Sequence, residues 1–71
     1  MDPNATWKLL AEAFEQVQSD CEAWEAIEEH AENLMYWLSR GGFPPEITGH
    51  REFDRLVAKQ TCDAILNWEV A

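Results

Sequence analysis

Residues 22–45 read Glu22-Ala23-Trp24-Glu25-Ala26-Ile27-Glu28-Glu29-His30-Ala31-Glu32-Asn33-Leu34-Met35-Tyr36-Trp37-Leu38-Ser39-Arg40-Gly41-Gly42-Phe43-Pro44-Pro45. Trp24, Ile27, Ala31, Leu34 and Leu38 recur three and four residues apart, which is the spacing of one helix face. Glutamates fill the other sides. Five consecutive apolar residues, Leu34-Met35-Tyr36-Trp37-Leu38, then surround the helix on every side. The run stops abruptly. Gly41 suits the left-handed position just past a helix, and Pro44-Pro45 prevents the helix from resuming. An amphipathic helix ending near residue 40 therefore organises the chain.

On the N-terminal side, Asp2-Pro3 is a strong helix start. Aspartate can accept from the free backbone donors, and proline at the first helical position gives up a donor that has no partner there anyway. Trp7, Leu10, Phe14 and Val17 continue at helical spacing. No Gly or Pro separates Asn4 from Arg40, so one long helix of coiled-coil type is one arrangement. The other is a hairpin. The apolar stripe slips phase near residues 18–21, and Ser19-Asp20-Cys21-Glu22 has the form of a capping box. On the C-terminal side a third helix starts near Thr48-Gly49-His50, with Phe53, Leu56, Val57, Ala64, Ile65 and Trp68 marking its apolar side. The expected fold is all-α: a helical hairpin plus a third helix after a Gly/Pro loop. It is a small three-helix bundle in a single domain, 1–71, with helices at about 3–18, 20–39 and 50–68.

With 71 residues and four tryptophans (Trp7, Trp24, Trp37, Trp68), so small a bundle has too little interior to hide every ring. Some apolar surface is therefore expected to be covered by another copy or another protein. The net charge is −9, and residues 19–40 carry six acids against the single Arg40. Acidic surface repels phosphate, which disfavours direct nucleic-acid binding. No apolar run approaches the ~18 residues of a membrane span, so no membrane association is expected. Met1-Asp2-Pro3-Asn4 lacks the basic region of a secretory signal, and Cys21 and Cys62 sit in no metal or redox spacing. A reduced cytoplasmic protein is the expectation.

Two surfaces are candidates for partner binding. The first is the acidic face Glu22, Glu25, Glu28, Glu29 and Glu32, where like charges three and four residues apart repel. It can serve solubility, dock a basic partner, or pair with the basic stripe Arg51, Arg55 and Lys59 of the third helix. The second is the apolar end, where Met35, Tyr36 and Trp37 are partner-contact candidates because such side chains are enriched at interface centres. In the alternative, Tyr36 or Trp37 lies under the loop that follows. His30 has Ala26, Ile27, Asn33 and Leu34 at the positions where a second helical ligand would sit, so no metal is expected there. His50 and Asp54 are four apart but more readily serve the helix end. Catalysis is not expected. Acid–base work needs carboxylates in contrasting environments, and these glutamates are alike. Gly41-Gly42 lacks the lysine of a phosphate loop. No catalytic residue and no cofactor are expected.

Met1-Asp2-Pro3-Asn4-Ala5-Thr6, together with Ala31-Glu32-Asn33-Leu34 leading into Trp37-Leu38-Ser39-Arg40-Gly41-Gly42-Phe43-Pro44, resembles short acidic proteins of actinobacteria and their phages. The resemblance covers the first 45 residues or so. It implies a cytoplasmic phage or host accessory protein without catalytic residues. The composite expectation is a non-enzymatic interaction module, a homodimer with a further protein partner. The alternative is an inhibitor or decoy that binds a basic nucleic-acid-binding protein through the acidic face.

Overall fold

The computed structural model describes residues 2–17 and 22–68. Among these residues it contains three helices and no strand: α1 (Pro3–Gln16), α2 (Ala23–Ser39) and α3 (Arg51–Leu66). Asp2 Oδ1 accepts from the backbone N–H of Asn4 at 3.0 Å and of Ala5 at 3.4 Å, with Pro3 opening the helix as expected. The expected capping box rests on Ser19, which lies outside the described residues, as does Cys21.

The C-terminus of α2 is closed by backbone alone. Gly42 N–H donates to Trp37 O at 3.0 Å and Gly41 N–H to Leu38 O at 3.1 Å, a Schellman pair. Gly41 takes φ +87° to make it, a conformation costly for any residue with a Cβ.

The first two helices form an antiparallel hairpin. At one end the Phe14 ring meets Trp24 edge-on at 6.4 Å, and Trp24 meets Trp68, just past the end of α3, at 6.3 Å. At the other end Asn4 Oδ1 accepts from the N–H of Glu46 at 2.6 Å, tying the start of α1 to the loop after α2. Helix α2 is central and both other helices run along it, while α1 and α3 do not run along each other. The core joins Leu10 and Ala13 of α1, Ile27, Ala31, Leu34 and Leu38 of α2, and Ala58, Cys62 and Ile65 of α3. The phase expected for α2 is the phase observed.

Helix α3 departs from expectation. Its buried side is Asp54, Ala58, Cys62 and Ile65, whereas Phe53, Leu56, Ala64 and Trp68 are exposed and Val57 is half-buried. Of the residues expected on its apolar side, only Ile65 is buried. Two polar anchors set this rotation. Arg55 donates from Nη1 to Leu38 O at 3.1 Å and from Nη2 to Gly42 O at 2.8 Å, so it caps the end of α2. The Asp54 carboxylate accepts from Thr48 N–H and Thr48 Oγ1, both at 2.7 Å, and from Gly49 N–H at 3.3 Å.

Burial alone would push the Asp54 carboxyl up. The hydrogen bonds from the Thr48 hydroxyl and from backbone amides at residues 47–49 outweigh it and hold the pKa below the ordinary 3.8. The sign follows. The unfolded chain binds this proton more readily, so the stabilisation is complete above pH 3.8 and drains away as pH falls through the lower folded value. Acid also neutralises mutually repelling glutamates, so the wild-type curve mixes two effects. The difference between wild type and Asp54→Asn in urea midpoint isolates the first. That gap should be widest near neutrality and narrow below pH 3.8. A gap independent of pH would show that the charge of Asp54 does not hold the loop.

Candidate functional site

The sequence places Met35, Tyr36 and Trp37 at the closed end of α2, and the structure gives each a different environment. Met35 packs half-buried against the core. Trp37 is also half-buried, because the loop folds over it. Its Nε1–H donates to Phe43 O at 2.9 Å, its ring meets the Phe43 ring edge-on at 5.7 Å, and Gly42 lies directly against the indole. Tyr36 alone presents most of its surface, at 64% exposed. Its hydroxyl accepts from Arg40 Nη1 at 2.8 Å, and the same guanidinium sits 5.2 Å from the ring centroid.

All five candidate glutamates, Glu22, Glu25, Glu28, Glu29 and Glu32, are exposed on the side of α2 away from Ile27 and Leu34. Tyr36 is four residues past Glu32, so helix geometry sets it at the end of this acidic stripe. Among the described residues, Glu25, Glu28, Glu29 and Glu32 make no ion pair. Within the chain, Arg55 of the basic stripe goes to the end of α2 instead of to these glutamates.

Where α1 and α3 diverge, an apolar groove opens that sequence reasoning missed. One part is lined by Phe14, Trp24, Thr61, Ala64, Ile65 and Trp68. The neighbouring part, lined by Trp7, Leu10, Ala11, Phe14 and Thr61, shares two of those residues. No charged side chain lines either part. The signal available in the sequence was the presence of two apolar stripes on α3, one of small residues and one of large.

His30 is half-buried and His50 is the exposed residue before α3. Among the described residues no three His, Cys, Asp or Glu side chains converge on a point that could hold a metal. Cys62 is fully buried, and burial pushes its thiol up to about 11, so it stays protonated and unreactive at neutral pH. No described helix is long and apolar enough to cross a membrane. No protein-family model, curated protein or solved structure matches the chain.

Proposed function

We propose that this chain is a non-enzymatic interaction module that associates with a second copy of itself and meets a further protein partner through its acidic face. One observation carries the first part. Phe53 and Leu56 on α3 are each more than half exposed, as are Trp68 just past its end and Tyr36 on α2, in a chain of only 71 residues. Isolated exposed apolar side chains are ordinary, but a run of large ones along a helix marks a contact surface. The non-enzymatic part is supported by the environment of the carboxylates. The five glutamates share one solvated face, whereas acid–base chemistry needs groups held in contrasting surroundings.

Gel filtration with light scattering over a wide concentration range tests self-association. The expected result is a dimer that strengthens with salt, since two chains of charge −9 repel until screened. A monomer at every concentration and salt level refutes it.

A second reading is favoured by the absence of ion pairs on Glu25, Glu28, Glu29 and Glu32 among the described residues. On that reading the face captures a basic nucleic-acid-binding protein in a phage or its host. Such capture should fade steeply as salt rises and vanish when these four glutamates become glutamines.

A further inference from the structure

We propose that the outer stripe of α3 is the surface on which two copies of this chain meet, their α3 helices antiparallel about a two-fold axis near Gln60. This rests on the self-association proposed above and names its surface and geometry.

Phe53, Leu56, Val57, Gln60, Ala64 and Trp68 recur three and four residues apart and include no charge. At 1.5 Å per residue Phe53 to Ala64 span roughly 16 Å of helix, and Trp68 lies just past the helix end. The opposite side of α3 is already filled by Ala58, Cys62 and Ile65 against the core, so the helix carries two apolar sides and the bundle covers one. Trp68 is 64% exposed, Phe53 52% and Leu56 53%, and beside them Phe14 across the groove is 38% exposed. A buried aromatic removes ~150–250 Å² from water, so the three rings alone leave roughly 230–390 Å² uncovered. With Leu56, Val57 and the groove walls, each copy offers on the order of 500 Å². Two copies then bury about 1,000 Å², the lower bound for a specific interface.

Charge decides which surface pairs. A dimer through Tyr36 would bring the glutamate stripe of one copy against that of the other, because Tyr36 continues that stripe. The α3 stripe carries no such penalty. Lys59 and Asp63 lie one turn apart along its border. Antiparallel pairing about Gln60 sets each Lys59 within about two residues' rise of Asp63 of the partner subunit, twice over. The same symmetry sets Phe53 near the C-terminal end of the partner's α3, where Trp68 of the partner subunit follows, and Gln60 beside its own copy.

The test uses the full chain with Cys21→Ser. Cys62 stays in place because its thiol is buried. Gln60→Cys in this background should form a disulfide-linked dimer under copper–phenanthroline, and Tyr36→Cys should not. Leu56→Glu, at an exposed site, should keep its helicity and raise the dimer dissociation constant at least tenfold. Cross-linking through Tyr36→Cys with Leu56→Glu still dimeric overturns this surface and leaves self-association standing. Loss of the dimer with Leu56→Glu but no cross-link through Gln60→Cys overturns the antiparallel geometry. A wild-type monomer at all concentrations overturns both proposals. Should Leu56→Glu lose its helicity, the two cross-linking variants decide alone.

Discussion

Leu34→Ala should destabilise this chain by about 2–5 kcal/mol, the range for removing a fully buried leucine and leaving a cavity. Leu34 has no exposed surface and sits on the central helix, in the cluster to which all three helices contribute. The loss is large against the whole. At ~0.05–0.15 kcal/mol per residue, a chain this long holds roughly 4–10 kcal/mol in total. The urea midpoint followed by circular dichroism should fall by about half, with the slope of the transition unchanged. Comparison at one protein concentration removes the contribution of self-association. Leu9→Ala is the control, because Leu9 is about half exposed and should move the midpoint little. Equal losses at the two positions would refute the placement of α2 as the shared core helix.

Gly42→Ala should be the most damaging change in the loop after α2, costing roughly 1–3 kcal/mol as an overpacked contact does. A Cβ on Gly42 would run into the Trp37 ring, so the ring must swing away. Two contacts go with it: the Trp37 Nε1–H bond to Phe43 O and the edge contact with the Phe43 ring. Gly41→Ala separates space from strain. Nothing lies near its added Cβ, and only the positive φ opposes it. The indole N–H resonance of Trp37 in a nitrogen–proton correlation spectrum reads the difference. It should move strongly in Gly42→Ala and little in Gly41→Ala. An unmoved resonance in Gly42→Ala would show that the loop does not close over the ring.

These two sites differ in how far they can be read from sequence. The buried phase of α2 is legible because Ile27, Ala31, Leu34 and Leu38 are the apolar residues left once the glutamates are assigned to solvent. The alternative phase would bury Glu28. The stop at Gly41 is equally legible, because few residues other than glycine adopt its φ. The fate of Met35, Tyr36 and Trp37 is not legible. Five apolar residues in a row surround the helix, and periodicity cannot choose among them. The choice came from the loop, which places Phe43 O within reach of the Trp37 indole N–H and leaves Tyr36 outside.

The acidic face belongs to what the sequence determined alone. So do the α2 core stripe, the Asp2-Pro3 start of α1 and the helix stop at residues 41–45. Each is local, because its physics lies within one or two helical turns of backbone. Tertiary structure decided which side of α3 faces inward. That helix has a stripe of small residues and a stripe of large ones, and hydrophobicity favours burying the large. The anchors at Asp54 and Arg55 instead turn Ala58 and Cys62 toward α2. The Asp54 anchor is local, holding Thr48 and Gly49 just ahead of the helix, whereas Arg55 binds Leu38 O and Gly42 O, which come within its reach only once the chain has folded back. The pattern of residues along α3 therefore records two apolar faces, and the local Asp54 bonds together with the long-range Arg55 bonds select the one that the core keeps.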